Sequence, residues 1–577
     1  MTTLSRRLFL RWLAGVGAAF VALRPGVRVV RAEGRSHEDL VDDADGFALG
    51  VLQGCQLEQG RIVAHGPASF TSRELVANAP FTHAGLHWEA ESGGNELVFA
   101  LRARDIVGTW SPWRPVRVER RDGECPADGV FAALAFTGEH TRALQYRVDF
   151  PGGPVSLERV VASALSSPTA PLESADGLTV RRLDEGLSSP PAPVGARIIL
   201  PLVADDTFVL PGDATHASDP WHGRLLEVIP REVWGADESL RFDGDGRELW
   251  HEMFVPVRAL VVHHASSRNS YDSPEEAATD IRAIHYYHSV IEGWHDIGYN
   301  ALLDRFGNLY EGRHGRGGDP GDLAPREVLS EGVSGGHVHL HNYGSAGIGM
   351  LGDATADGWP LVAPEGPMWE ALVRYCSFEA ARAGLRLLDP AYPGVAATSD
   401  FLRSDNAWHD GIPNLGSHRD SEQTLCPGDI VINLLPDLRA AVDASLAGMS
   451  RSGVSLARVG PAEREALPGT RISYRWYADQ PEPGWELVGF QYAIETWFKP
   501  EGNDDITYLH GYTAEQQPRL AWTSVSPGQL DLSFVAEQPG QYTMHVRALL
   551  RGPGGLAPAA FEAHDSVLIR QEPATSP

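Results

Sequence analysis

Lysine is almost missing from this chain. Lys499 is the only one among 577 residues, and arginine supplies the other cationic side chains. We read this as composition bias. Its one chemical consequence is that no lysine is at hand as an electrophile beside the histidine and cysteine motifs described below. Cysteine is sparse as well, and four are too few for a disulfide framework. Cys55 and Cys125 both fall in the N-terminal region, where a bridge is open to an exported chain. Cys376 shares a helical stripe with Trp369, Leu372, Val373 and Ala380, so it is expected to be a buried apolar residue. Only Cys426 is left for chemistry. Positive charge is in deficit, with a formal net charge of -28. Such a surface repels nucleic acid and anionic membranes. Long apolar runs are absent too. The longest, Trp12 to Leu23, is too short for a comfortable permanent membrane anchor.

That short run has the context of an export signal. Ser5-Arg-Arg-Leu-Phe-Leu-Arg11 matches the twin-arginine pattern, and Val30-Arg31-Ala32 offers a cleavage site. Residues 1–32 are therefore expected to be removed. The loss of six arginines and no acids would leave the mature chain at -34. The expected destination is the periplasm, cell envelope or extracellular space, with no permanent anchor.

Composition then divides the rest. Residues from about 45 to 163 alternate apolar and polar positions. Leu97, Phe99, Leu101 and Ala103 form one such run; Leu144, Tyr146, Val148 and Phe150 form another. Period two indicates half-buried strands. Residues 164–200 are rich in Ser, Pro and Ala, as linkers are. We place an N-terminal β-sandwich with its linker at 33–205. Residues 206–448 alternate strand-like and helix-like runs, which predicts an α/β domain with a mixed sheet covered by helices. Ala259–Val262, Tyr299–Leu303 and Gly347–Leu351 are strand candidates. Ser273-Pro-Glu-Glu276 reads as a capping box opening a helix with Ile281, Ile284, Tyr287 and His288 on one side. Met368 to Ala383 is a second helix, closed by Gly384. The β pattern returns after a linker, so 455–577 is expected to be a C-terminal β-sandwich, with Ile472, Tyr474 and Trp476 and then Tyr542, Met544 and Val546 facing its core. The overall class is thus multidomain, an α/β centre flanked by two β domains.

The chemistry concentrates in the centre. Gly416-Ser-His-Arg-Asp-Ser-Glu-Gln-Thr-Leu-Cys-Pro-Gly428 places His418 eight residues before Cys426, and Val261-Val-His-His-Ala-Ser-Ser267 supplies further imidazoles far upstream. Two imidazoles and a thiolate are three ligands, which leaves a fourth position for water at a catalytic zinc. A cysteine nucleophile with a histidine base uses the same residue types. A blue-copper centre does as well, but no methionine follows Cys426 closely. His337, His339 and His341 alternate and raise the possibility of a second metal.

Six segments in order resemble the zinc amidase and peptidoglycan recognition protein family, which also includes the phage T7-type lysozymes. They are Pro230-Arg-Glu-Val-Trp-Gly-Ala236, Val262-His-His-Ala265, Gly293-Trp-His-Asp-Ile-Gly-Tyr-Asn300, Asp304-Arg-Phe-Gly-Asn-Leu-Tyr-Glu-Gly-Arg313, His337 with Asn342 ahead of Gly347-Ile-Gly349, and Ser417 to Gly428. The resemblance spans much of residues 228–436. It implies one Zn²⁺ per chain on His263, His418 and Cys426, with Tyr299 as a catalytic tyrosine and Thr424 as a second hydroxyl. The phage branch has lysine at the position of Thr424, so the chain follows the recognition-protein branch. Family members that only bind cell wall typically lack the cysteine ligand; its presence implies an active hydrolase. The implied reaction is zinc-dependent hydrolysis of the amide between N-acetylmuramic acid and L-alanine in peptidoglycan. The alternative is a protein that binds peptidoglycan or muropeptides without cutting them. His264 is read as structural and His337 as part of a cleft wall. Arg313 is open between a contact to stem-peptide carboxylates and a surface ion pair. Oligomeric state is not legible.

Overall fold

The computed structural model describes residues 36–91, 97–116, 118–119, 130–132, 134–152, 154–167, 196–199, 225–315, 328–330, 332–356, 358–403, 407–422, 424–447, 453–481, 483–498, 507–510, 522–552 and 555–570. The export segment, Cys125 and most of the Ser/Pro linker lie outside these residues.

The N-terminal region begins its strands at Ser36, ahead of the expected start near 45. Twelve strands join through antiparallel pairing into one network, built on the long strands Leu75–Glu91, Ala135–Phe150 and Val155–Ser166. The alternating positions do point inward: Phe99, Leu144, Tyr146 and Val148 are fully buried, and Trp88 stacks on Phe99 with centroids 4.1 Å apart. Cys55 is a buried thiol that donates to the Ser69 carbonyl at 3.3 Å. Trp110 and Trp113 are half-buried beneath the Arg102 guanidinium, 4.6 and 4.7 Å from it.

The central region carries a five-stranded mixed sheet. Its order is Leu309–Glu311, Ala301–Leu303, Ser345–Met350, Ala259–His264, Leu415–Ser417. The last four run parallel to one another, and the first pairs antiparallel to the second. All six residues of the Ala259–His264 strand are buried, as expected of a central parallel strand covered on both faces. On one face, Leu260, Val262, Ile348 and Met350 pack with Leu372, Cys376 and Leu438 of the helices Pro367–Arg382 and Asp429–Ala447. Cys376 is fully buried there, and burial pushes its thiol pKa up. The second of these helices was not drawn from the sequence, although Val431, Leu434, Leu435, Leu438 and Val442 keep its apolar spacing past Pro436. On the other face, Leu302 and Tyr299 meet Ile281 and Ile284 of the helix Pro274–Tyr286.

That helix starts as the sequence indicates. Pro274 occupies its first turn and the Ser273 hydroxyl accepts from the Glu276 amide at 3.3 Å. The reciprocal arm differs from a capping box: Glu276 Oε2 accepts from the Asp272 amide at 3.1 Å, not from Ser273. A π-helical turn, Tyr287–Ile291, extends the helix. It separates two side chains expected on one side. Tyr287 packs with Leu134 and Leu165 of the N-terminal region, its hydroxyl donating to the Ala132 carbonyl at 2.7 Å, while His288 lies against Tyr299 and Trp294.

In the C-terminal region, a three-stranded and a six-stranded sheet enclose one core, where Ile472, Tyr474 and Trp476 meet Tyr542, Met544 and Val546. The strand Gly540–Gly552, which carries the last three, is not half-buried as its alternation predicts. Thr543 and His545 on its other face are also buried, because that face meets the central region at Arg258.

Candidate metal centre

Register explains why two distant histidines meet. The parallel pairing matches Val262 with Ser417, so the next residue on each strand, His263 and His418, emerges at the same carboxyl edge of the sheet. Ligand sites in open parallel sheets form at that edge. After Ser417 the chain turns sharply through His418–Asp420, and Asp420 Oδ2 accepts from the Ser417 amide at 2.6 Å and from its hydroxyl at 3.1 Å. Arg419 then clasps the returning loop, donating to the Leu425 carbonyl and to Asp429 Oδ1, both at 2.6 Å. That clasp brings Cys426 back over the strand ends. The Thr424 hydroxyl accepts from the Cys426 amide at 3.2 Å.

The donor atoms of His263, His418 and Cys426 all lie within 4.8 Å of one another. Cys426 Sγ is 3.6 Å from His263 Nδ1. Zinc bound at about 2.0–2.3 Å to nitrogen and sulfur needs tetrahedral ligands some 3.3–3.7 Å apart, so this pair fits one shared ion. Burial and the neighbouring His418 and His337 imidazoles keep the His263 pKa well below its ordinary value, the neutral form a metal requires. Burial disfavours a charged His418, but hydrogen bonds and charge from Cys426 and Glu422 outweigh it and lift its pKa to about 10.

His264 takes the opposite strand face. Its Nδ1 accepts from the Ala354 amide at 3.0 Å, away from the three converging groups. Tyr299 is 9% exposed, and its ring centroid is 5.5 Å from that of His263. Its position depends on Gly349, which pairs with His263 across the sheet; a Cβ there would come within 3.0 Å of the Tyr299 ring. Gly347 plays the same part for His337, whose ring a Cβ would meet at 2.4 Å. The two glycines of Gly347-Ile-Gly349 thus vacate the space that both rings fill.

Other readings need correction. His337 is not merely a wall. It is 7% exposed, and its Nδ1 lies 3.0 Å from His263 Nε2. Its Nε2 is 3.5 Å from the Ser345 hydroxyl, and burial pushes its pKa down to about 3. His337, His339 and His341 do not converge: His341 Nε2 pairs with His409 Nδ1 at 2.8 Å, and the His339 amide donates to Glu422. Arg313 is neither a surface group nor free for ligand. It is 1% exposed, bonded to Asp296 Oδ2 at 2.7 Å and packed over Trp250 at 4.0 Å. Asp296 also binds Arg231 at 3.0 Å and lies 3.4 Å from His285. Burial would raise the Asp296 pKa, but Arg231, His285 and Arg313 hold it well below the carboxylate range. Sequence reasoning missed this cluster, because its members are spread from position 231 to 313.

A mixed sheet with two histidines and a cysteine at its carboxyl edge defines the class, a candidate mononuclear metal centre on an α/β domain. No protein-family model matches the chain. Mouse peptidoglycan recognition protein 1 is 28% identical over 205 residues, covering 35% of this chain and 82% of the mouse protein. Pig N-acetylmuramoyl-L-alanine amidase is 26% identical over 227 residues, 38% of this chain but only 29% of that protein. The human amidase is 27% identical over 209 residues, and this chain spans 27% of its length. Among solved structures, Drosophila PGRP-LB aligns over 35% of this chain and 89% of its own at 21% identity, with a TM-score of 0.23. About a third of this chain is similar to peptidoglycan recognition proteins and N-acetylmuramoyl-L-alanine amidases.

Proposed function

We propose that the chain is a zinc-dependent N-acetylmuramoyl-L-alanine amidase acting on peptidoglycan or muropeptides. The observation that carries this reading is the convergence of Cys426 with His263 and His418. Related proteins include named amidases, and the donor set is that of a catalytic zinc with three protein ligands. When bound, zinc would supply a water of lowered pKa and a Lewis acid for the carbonyl. The chain's own residues do the rest. His263, His418 and Cys426 would hold the ion at the carboxyl edge of the sheet. The Tyr299 hydroxyl is assigned to the negative charge that develops on the carbonyl oxygen, and, directly or through water, to protonation of the leaving amine. Thr424 fixes the loop at Cys426 and is a second candidate donor.

The substrate amide joins the lactyl group of N-acetylmuramic acid to L-alanine. Incubating purified sacculi or a defined muropeptide with metal-loaded protein tests this. Release of a free L-alanine amino terminus is the expected result. Binding without release would leave a recognition protein. Export through residues 1–32 is part of the same proposal, since peptidoglycan lies outside the cytoplasm. Among the described residues no helix is long and apolar enough to cross a membrane.

A further inference from the structure

Glu422 lies one turn beyond His418, its amide donating to the His418 carbonyl at 3.1 Å. That turn folds its carboxylate back beside the ring, and Oε2 is 3.2 Å from His418 Nε2, an ion-pair contact that stops short of hydrogen-bond geometry and leaves the buried Nε2 without a hydrogen bond. Both side chains are 19% exposed, so the pair is partly shielded from water. The other carboxylate oxygen is also engaged: Oε1 accepts from the His339 amide at 2.5 Å. The carboxylate is therefore anchored through Oε1, with Oε2 left beside the His418 ring.

We propose that Glu422 is a positioning residue for the metal centre, holding His418 by Nε2 so that Nδ1 is presented to the ion. This rests on the zinc reading above. The other imidazole is backed at the same nitrogen, there by a hydrogen bond. His263 turns Nδ1 toward Cys426 Sγ and is held at Nε2 by His337 Nδ1. One loop supplies both braces: His337 contributes its ring and His339 its amide. Asn342 Oδ1 fixes that loop by accepting from the His337 and Val338 amides at 2.8 and 2.9 Å. An imidazole that coordinates through one nitrogen carries its proton on the other. An acceptor there fixes the tautomer and ring plane and makes the ligand more basic. His418 needs such a brace because it stands on a three-residue turn, which sets its backbone but not its ring.

The test uses the full chain with Glu422→Ala and Glu422→Gln. Each is stripped of metal, checked for unchanged thermal unfolding of the metal-free form, and titrated with zinc against a chromophoric chelator. Loss of an outer partner of this kind weakens metal binding roughly 10–100-fold. That loss is expected for Glu422→Ala, and Glu422→Gln, which keeps an acceptor oxygen, should recover part of it. Cobalt-loaded protein gives an independent readout. The d–d bands should shift in Glu422→Ala, while the thiolate-to-cobalt band from Cys426 persists. A folded Glu422→Ala with wild-type zinc affinity and wild-type cobalt bands overturns the assignment. Wild-type protein that takes up no zinc overturns the parent reading instead, and the same titration shows which has failed.

Discussion

Arg258, one residue ahead of the strand that carries His263, donates through Nη2 to Glu495 Oε2 of the C-terminal region at 2.7 Å. Both side chains are buried, and Thr543 Oγ1 and His545 Nε2 complete the contact at 3.0 and 3.1 Å. The C-terminal sheet thus grips the root of the metal-bearing strand. Removing one partner strands the other charge away from water, which typically costs about 3–5 kcal/mol. Arg258→Ala is expected to lower the denaturation midpoint accordingly. Arg258→Met with Glu495→Leu should regain most of that loss. Chemical denaturation of the three proteins checks both outcomes.

One zinc per chain is expected in the native protein, and none in Cys426→Ala, because two imidazoles alone leave the ion underligated. Activity should vanish with the metal. Elemental analysis and circular dichroism on the same sample separate metal loss from unfolding. Full turnover by a metal-free Cys426→Ala would remove zinc from the account.

Tyr299→Phe should retain zinc and lose about 10²–10³ in turnover, the usual effect of deleting one oxyanion donor. Thr424→Val should act in the same direction but less strongly. Gly349→Ala is a sharper probe of position. Its new Cβ would press on the Tyr299 ring from 3.0 Å, so turnover should fall while zinc stays bound. Stoichiometry and turnover measured together decide each case. A Tyr299→Phe protein without metal would make the tyrosine part of the site's framework.

His341 gives a pH prediction. Burial, with the neighbouring charge of His409 and Arg403 adding to it, lowers its pKa to about 4, against roughly 6.5 in an unfolded chain. Between those values the unfolded chain binds a proton that the folded one refuses. Its stabilising effect is complete above about pH 6.5 and is lost as pH falls toward 4. Denaturation midpoints at pH 7 and pH 5 should therefore differ less in His341→Gln than in the wild type. An identical difference in the two proteins would show that His341 does not contribute.

Three of the five central strands were legible because they are short apolar runs bounded by turn residues, and the helix start at Ser273 because capping is local chemistry; Leu309–Glu311 and Leu415–Ser417, three residues each, were too short to show a pattern. The candidate donor set was read through the family resemblance, and so was the choice of His263 over His264, since alternation puts the two on opposite faces without saying which one faces the site. Arg313 was not. A sequence gives an arginine its charge but not its depth, and only the fold places Asp296, Trp250 and Arg231 around it. The buried second face of the Tyr542–Val546 strand was hidden for the same reason, since its cover, Arg258, comes from another region.

The sequence by itself determined which atoms are available to a metal, two imidazoles and a thiolate on the segments that end at Ala265 and Gly428. Tertiary structure alone decided which nitrogen of His263 faces the sulfur, and that His337 stands behind its ring. The reason is geometric. Periodicity fixes the face on which a side chain leaves its own strand, whereas the register of the His263 strand and the rotation of the His263 ring are set by contacts with segments more than 70 residues away.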